Sequence, residues 1–491
     1  MLFTQSGDAI ATLKRSLEYR LLEASSAKPS QTRLEAEEAI MESPSHRFYQ
    51  PFLRLAILNI VSNLMVPLAS LMDVAFLGHL NDIRHLAGVA IASVLFNVLY
   101  WSFGFLRMGT TGLTAQALGR GNQDEVVGVG VRNGCLAIAI ALGLLVFQVP
   151  LRQLGFAVLS APPEVKDAGF AYYNAMIWGA PANLLGFVLL GWFLGRGQGK
   201  QVLLLSLVAN GSNVILNYWL IVQLGWASAG AGWATMLSQV AMASLGLLLA
   251  WGDIRRVPMP RLTQQLLDWQ ALRTTLVLNG DIMIRTFALL LAFSWFTNLS
   301  SMLGTVILAA NTLLLQVISF TSYFIDGIAF ATESFTGSFH GQKDLTRLKP
   351  LLGLSLVLSL SLGLTIAGGA IAFQRPLFQL LTSHSPVLNQ IPQVIGWLLP
   401  VLGFGAIAYI LDGYFLGLTQ GRVLRNTAVI ATALGFAPTA LLAGYWQNEQ
   451  ILWLALALYM MTRVITLGLQ VPKSLKTTAP SLDPAVPASP D

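Results

Sequence analysis

The sequence predicts an all-α polytopic membrane protein with twelve transmembrane helices, arranged as two six-helix lobes related by a pseudo-two-fold axis along the membrane normal. Of the 491 residues, 55% are hydrophobic and only 11% are charged, whereas soluble proteins carry about 25% charged residues. Apolar stretches recur along the chain, and each is long enough to cross a bilayer, which takes about 20 residues. A third observation, an internal repeat, gives the arrangement of the helices.

Twelve apolar stretches define the predicted spans. They cover residues 55–77, 87–110, 126–150, 170–195, 201–223, 229–251, 274–297, 305–337, 351–373, 393–418, 425–446 and 450–471. The stretch 305–337 is too long for one simple crossing and contains Asp326, Gly327 and Glu333. We therefore expect this helix to be tilted or broken.

The two halves of the chain repeat one another. Residues 191–200 (GWFLGRGQGK) match residues 413–422 (GYFLGLTQGR), 222 positions apart, and the same offset pairs Gly119 with Gly341. Equivalent points are six spans apart, an even number, so both halves have the same orientation in the membrane. Repeats of this kind are related by an axis along the membrane normal, and substrate sites lie near mid-membrane at the interface between them.

The predicted organisation has five parts. A polar N-terminal tail at 1–50 precedes an N-lobe at 51–252, and an inter-lobe linker rich in arginine and proline occupies 253–273. The C-lobe covers 274–471, and a C-terminal tail rich in proline, serine and alanine, which we expect to be disordered, follows at 472–491.

The basic residues predict the orientation in the membrane. With a cytoplasmic N-terminus, the loops that face the cytoplasm carry most of the lysine and arginine, and the opposite loops carry Arg84, Arg152, Lys166 and Arg375. This bias places both termini in the cytoplasm. It also explains the net charge of +6 without a nucleic-acid partner, and we expect none.

Composition argues against several classes of site. The single cysteine, Cys135, excludes a disulfide within the chain, and the five histidines are scattered along it without metal-ligand spacing. The run 195–199 (GRGQG) lacks the lysine and hydroxyl residue of a phosphate-binding loop. No enzyme motif is found, so we expect neither an enzyme nor a metal or organic cofactor.

Asp73 is the principal candidate for function, because it lies inside the first apolar stretch with no cation within a turn of it. A carboxylate near the bilayer centre costs about 2.5–3.5 kcal/mol on insertion scales, so it should face protein or a water-filled cavity. Asn59 and Asn63 give the same helix a polar face, where we expect the function. The alternative is that Asp73 lies near the helix end and merely reaches the membrane interface.

Other polar groups accompany Asp73 in the first half. Asn210, Asn213 and Asn217 lie on the fifth span and Thr235 on the sixth, and Asn213 and Asn217 share a helix face. Carboxylate, amide and hydroxyl oxygens together can hold a proton or a dehydrated sodium ion. The alternative for the asparagines is interhelical hydrogen bonding, which is common in membrane bundles.

The second half carries its own charged residues within the spans. Asp281 and Arg285 are four residues apart, which predicts a structural salt bridge along one helix face or, second, a role in conformational switching. The remaining acids are Asp326, Asp412 and Glu333, and Glu333 is expected to be solvated. Arg107 in the second span either neutralises an acid or approaches the cytoplasmic surface.

Several segments resemble the multidrug and toxic compound extrusion (MATE) family, in particular its DinF-type branch. The similar segments are 66–80 (VPLASLMDVAFLGHL), 278–286 (LNGDIMIRT), 308–312 (LAANT), 323–333 (YFIDGIAFATE) and 411–417 (LDGYFLG). The resemblance extends from about residue 50 to 470. It implies a twelve-helix secondary antiporter that exports organic, often cationic, compounds against an inward flow of protons or sodium ions.

The resemblance also implies a cation site in the N-lobe, which falls on Asp73, Asn213, Asn217 and Thr235. Two departures from the family pattern matter. Asn217 stands where the family usually has aspartate, which weakens the case for tight sodium binding. Leu58 stands where the family often has a proline, so a proline-dependent bend of the first helix would have to come from Pro67.

We therefore expect a proton-coupled, or alternatively sodium-coupled, exporter of small organic compounds with Asp73 as the coupling carboxylate. A flippase for lipid-linked intermediates is the alternative, although it calls for a strongly cationic cleft. A membrane-embedded enzyme or a channel is disfavoured, because neither a catalytic cluster nor a repeated filter motif is found. Beyond its substrate and the lipid bilayer we expect no partner, and the protein should be a monomer in a bacterial inner membrane.

Overall fold

The computed structural model describes residues 48–80, 82–159 and 161–475. Twelve helical spans in these ranges are long and apolar enough to cross a membrane, which confirms the number predicted. We label them α1 to α12: Tyr49–Gly78, Ile83–Gly119, Gln123–Val146, Pro163–Gly195, Gly199–Gln223, Ala227–Ile254, Trp269–Leu303, Thr305–Gly341, Leu345–Ala372, Ser385–Gly417, Gly421–Trp446 and Glu449–Ser474. The expectations for residues 1–47 and 476–491 fall outside the described residues.

The span expected to be tilted or broken is continuous, and its repeat partner is interrupted instead. α8 is a single α-helix of 37 residues, whereas α2 consists of two helices, Ile83–Ser102 and Phe105–Gly119, separated at Phe103 and Gly104. Gly104 has no side chain to bury and favours a local break. Of the two alternatives for this span, a break was wrong, because its polar residues are accommodated by packing, and the tilt stays a prediction.

The repeat is visible in the backbone. Six of the eight residues with a positive φ within the described ranges form three pairs at the same offset of 222: Gly121 and Lys343, Gly197 and Thr419, and Gly225 and Gln447. Each second member is a residue that adopts a positive φ less readily than glycine. The loops therefore retain one shape in both halves even where the amino acid has changed.

Glycines pack the helices closely within each lobe, again in pairs. A Cβ on Gly191 of α4 would meet the backbone of Arg107 on α2, and a Cβ on Gly413 of α10 would meet the backbone of Ala329 on α8. These four residues are two pairs at the same offset of 222. The repeated GxFLG-type segments are thus the sites where α4 and α10 contact α2 and α8.

The lobes meet along α2 and α8 in a glycine crossing, formed by Gly112, Ala115 and Gly119 of α2 with Gly337 and Gly341 of α8. A Cβ on Gly341 would lie 3.0 Å from the Cα of Gly119, so this repeat-related pair is in direct contact. Two hydrogen bonds close to the glycine crossing also join the lobes. Ser334 donates to the Leu194 carbonyl over 2.8 Å, and Gln116 donates to the Gly417 carbonyl over 2.9 Å.

Two asparagines on the polar face of α1 contact α8 of the other lobe. Asn63 donates to the Tyr323 carbonyl of α8 over 3.1 Å, and Asn59 donates to the Gly327 carbonyl of the same helix over 3.5 Å. These two asparagines therefore join the lobes. α1 is a single α-helix that includes Pro67.

A buried ion triad joins three helices of the C-lobe. Arg285 of α7 and Arg463 of α12 both donate to the same carboxylate oxygen of Asp412 on α10. Asp412 is 4% exposed and Arg463 is 1% exposed, so these charges are almost completely removed from water.

The prediction of a salt bridge between Asp281 and Arg285 was wrong. Asp281 accepts a hydrogen bond from Arg425 over 2.7 Å, while Arg285 contacts Asp412. The two residues share a helix face, but each finds a partner on another helix. Side chains four residues apart can pair, yet a carboxylate or guanidinium on a facing helix competes for the same hydrogen bonds.

The arginine- and proline-rich segment between the halves contains a helix, Met259–Leu267. Arg132 of α3 donates to the Gln265 carbonyl over 3.0 Å, and Arg261 pairs with Asp124 over 2.9 Å. This helix is therefore attached to the N-lobe. The domain boundaries proposed from the sequence stay predictions.

We predict that Gly119→Ala weakens the glycine crossing, because the added methyl group would collide with the Ser338 carbonyl. Overpacking of this kind costs about 1–3 kcal/mol. The measurement is the yield of cross-linking between cysteines placed at Gln123 and Gln342, in a Cys135→Ser background. Gly143→Ala is the control, since a methyl group there meets nothing within 4 Å. Equal yields in the two variants would contradict the prediction.

We predict that Asp412→Asn destabilises the protein by about 3–5 kcal/mol, because it leaves two buried guanidinium groups without their carboxylate. Unfolding in mixed detergent micelles measures the change. Asp124→Asn is the matched control, since it removes an ion pair whose side chains are 66% and 38% exposed, and it should cost at most about 1 kcal/mol. A loss no greater than that of the control would show that the triad does not stabilise the C-lobe.

Candidate functional site

Asp73 lies in the last two turns of α1, five residues before Gly78, where that helix ends. Its side chain is half-buried, and its carboxylate accepts a hydrogen bond from the Asn217 amide on α5. The structure therefore turns this carboxylate toward a neighbouring helix, whereas the interfacial alternative would turn it toward bulk solvent.

The four candidate residues of the N-lobe form one chain of hydrogen bonds across three helices. Asn217, bonded to Asp73, also donates to Asn213 over 3.1 Å, and Asn213 donates to Thr235 of α6 over 3.2 Å. Thr235 in turn donates to the Ala231 carbonyl over 3.0 Å. The resemblance predicted these residues as a set, and the structure brings all four together.

One acceptor in this chain has no partner. The side-chain oxygen of Asn217 is buried and unpaired, and the residue is 0% exposed. An unsatisfied buried acceptor is costly and would be satisfied by an O–H group or a cation. If the amide of Asn217 turned over, this oxygen would face Asp73 and could accept a proton-bearing carboxyl group.

The local backbone at Asn217 is unusual. The α-helical part of α5 ends at Asn217, and residues Tyr218–Gln223 form a π-helix. Single π-turns inside longer helices occur frequently at functional sites. A second π-helix at Ala431–Phe436 interrupts α11, but it does not lie at the repeat-related position.

Sequence reasoning missed two residues at this site. The phenol of Tyr172 on α4 interacts with the hydroxyls of Ser93 on α2 and Thr235, and its buried ring lies near Asp73. The only sequence signal was a hydroxyl residue within a predicted span, which is common in membrane helices. Asn210, by contrast, bonds back to the Ser206 carbonyl of its own helix over 2.8 Å.

A second group of ionisable residues lies between the lobes. Arg107 of α2 lies 3.8 Å from the centre of the Phe330 ring on α8, and it interacts electrostatically with Asp326 and Glu333 of the same helix. Glu333 is 0% exposed, so the expectation that it is solvated was wrong. Helices of both lobes pack over it. Of the two alternatives for Arg107, the structure favours a position beside the acids of α8, although Arg107 forms no ion pair with either of them.

Comparison with known sequences supports the fold and the resemblance. A family model for MatE matches residues 59–219 and again residues 282–442, so it covers both repeats. The chain is 33% identical to DNA damage-inducible protein F of Escherichia coli over 84% of this chain and 90% of that protein. It is 26% identical to the chloroplastic protein DETOXIFICATION 44 of Arabidopsis thaliana over 82% and 79% of the two chains.

Solved structures show the same fold at low identity. The chain aligns with a multidrug resistance MATE family transporter in an outward-facing conformation, with a TM-score of 0.78 and 17% identity over 87% of this chain and 95% of that chain. A MATE structure in a bent conformation gives a TM-score of 0.78 with 18% identity over 88% and 96%. Because the family model matches both halves of the chain, the protein belongs to the MatE family of multidrug efflux transporters.

Proposed function

We propose that this protein is a secondary antiporter that exports small organic compounds, driven by inward proton flow through Asp73. The observation that carries the proposal is the chain of hydrogen bonds from Asp73 through Asn217 and Asn213 to Thr235. It provides a carboxyl group between helices, next to an amide whose oxygen has no partner. Such a carboxyl can take up a proton, and the amide can respond to it.

The proposed cycle has two states of Asp73. The ionised carboxylate accepts the hydrogen bond from Asn217, as in the structure. A protonated carboxyl would instead donate to the amide oxygen after a turn of the Asn217 side chain, which changes the contact between α1 and α5. The neutral form would let α1 repack and release the substrate toward the outside. The cleft would then turn inward, and the proton would leave to the cytoplasm.

The glycine crossing bears on the side to which the cleft would open. The glycine crossing lies next to Arg120 and Lys343, which are in loops that we expect in the cytoplasm from the distribution of basic residues. We propose that the cleft opens on the other side, where Asp73 would receive an external proton. Both termini would be cytoplasmic and the bilayer a bacterial inner membrane.

The names of relatives support an organic substrate, because several of them are named as probable multidrug resistance proteins NorM. The alternative of a lipid-intermediate flippase needs cationic groups for phosphate. Arg285 and Arg463 are already bound to Asp412, and Arg107 lies over an aromatic ring. The antiporter is therefore the better proposal.

We predict that Asp73→Asn abolishes proton-driven efflux, a loss of at least tenfold, because the amide cannot carry a proton to be exchanged. Efflux from proteoliposomes under an imposed proton gradient, with a panel of organic cations, measures the effect. Asp167→Asn is the matched control, since Asp167 is exposed on α4. Coupled efflux at the wild-type rate in Asp73→Asn would refute the proposal.

We predict that Asn217→Asp shifts coupling from protons toward sodium ions. The substitution places a second carboxylate beside Asp73, and sodium binds best where oxygen ligands carry negative charge. Efflux measured under a sodium gradient alone should rise in the variant relative to the wild type, and Asn217→Leu should lose coupling to both ions. If wild-type efflux already follows the sodium gradient alone, sodium is the coupling ion and the proton assignment is wrong.

A further inference from the structure

Glu333 stands apart among the acids within the described residues. Both of its carboxylate oxygens are buried without a hydrogen-bond partner, and the side chain is 0% exposed. Asp73, Asp281 and Asp412, by comparison, each accept a side-chain hydrogen bond. An ionised carboxylate with no hydrogen bonds in a dry interface is very unfavourable.

Charged groups surround Glu333 without pairing with it. Arg107 of α2 and Arg285 of α7 attract it, but Arg107 packs over Phe330, and its buried Nη1 has no partner either. Arg285 is held by Asp412. Further ionisable residues lie on α8, on the helices packed against it, or just beyond the ends of these helices: Tyr323, Asp326 and His340 of α8, Tyr49, Arg54 and Asp73 of α1, Arg84, His85, Tyr100 and Arg120 of α2, Glu164, Lys166, Asp167, Tyr172, Tyr173 and Arg196 of α4, Arg273 and Asp281 of α7, Arg347 and Lys349 of α9, and Tyr409 and Tyr414 of α10.

The position of Glu333 links its exposure to the contact between the lobes. The next residue, Ser334, donates to the Leu194 carbonyl of the N-lobe, and Gly337 lies one turn further, in the glycine crossing, with Ala115 against it. Separation of α2 from α8 at this end would break these contacts. Water would then reach the Glu333 carboxyl.

We propose that Glu333 is a second proton-carrying group, protonated while the lobes are in contact at the glycine crossing and ionised when they separate. This inference goes beyond the role of Asp73 and does not depend on it. It predicts that closure of the crossing takes up one proton. Because the closed state holds the proton, raising the pH favours separation and lowering the pH favours closure.

The test measures the separation of the lobes in the full-length protein without substrate. Spin labels on cysteines at Gln123 and Gln342, in a Cys135→Ser background, report the distance across the crossing between pH 5 and 9. For the wild type we expect the ratio of separated to closed molecules to rise with pH, by up to tenfold per pH unit for one proton. Glu333→Gln should remain closed throughout, because an amide mimics the protonated carboxyl.

Three variants separate this proposal from other sources of pH dependence. Glu333→Asp keeps a carboxyl and should retain the transition, and Asp326→Asn should retain it because that acid is not the group proposed. Asp73→Asn should also retain it, even where proton-driven efflux is lost, so failure of the antiport proposal would be distinguishable. A wild type without a transition, or a transition preserved in Glu333→Gln, would overturn the inference.

A second measurement does not require the Glu333→Gln variant to fold. A bis-maleimide cross-links the same cysteine pair in the Asp73→Asn background and so holds the lobes in contact. The reaction is run at pH 7, because a water-exposed glutamate has a usual pKa of about 4.3 and is ionised there. A pH-sensitive dye in weak buffer should show uptake of about one proton per protein as separated molecules close. Closure without proton uptake would overturn the inference.

Discussion

The structure depends on the cost of burying a charged group between membrane helices. Each ionisable side chain inside the lobes must find a partner, lose its charge or lower the stability of the closed packing. The chain uses different solutions at different sites. Asp412 binds two arginines, Asp73 binds an amide, and Glu333 has no hydrogen bond to its carboxylate. The first solution stabilises one arrangement of helices, whereas the other two leave room for a change of protonation.

Because the backbones pack closely, the protonation state of a buried acid can affect the contact between the lobes. At the glycine crossing the helices approach so closely that a single methyl group on Gly341 would meet the Gln116 carbonyl. Such an interface has few intermediate arrangements, because densely packed surfaces either fit or separate. A proton on one buried carboxyl can therefore bias the choice between two states. The same packing explains why Glu333 changes its surroundings completely when the lobes part.

The sequence predicted more of the fold than of the partners within it. Hydropathy and the offset of 222 residues were enough for twelve spans and a repeat. Asp73 stood out as an acid within the first apolar stretch, and the resemblance grouped it with Asn213, Asn217 and Thr235, which the structure brings together. Spacing along one helix failed for Asp281 and Arg285, because the competing partners Arg425 and Asp412 are far away in sequence. The burial of Glu333 could not be predicted either, since it depends on how α2 and α4 pack against α8.

The two lobes share their backbone features and differ in their buried charged residues. Glycines and loop conformations recur at the offset of 222 residues, but the buried charges do not. Arg107 corresponds to Ala329, Thr111 to Glu333, Asp73 to Trp295 and Leu190 to Asp412. A symmetric backbone is what allows two lobes to rock about a common axis, while an asymmetric set of charges gives the lobes different tasks. In this protein one lobe carries the proposed coupling carboxylate, and the other contributes an acid that the first lobe covers. Closure of the crossing and occupancy of the N-lobe site can therefore respond to protons separately, which two identical lobes could not do.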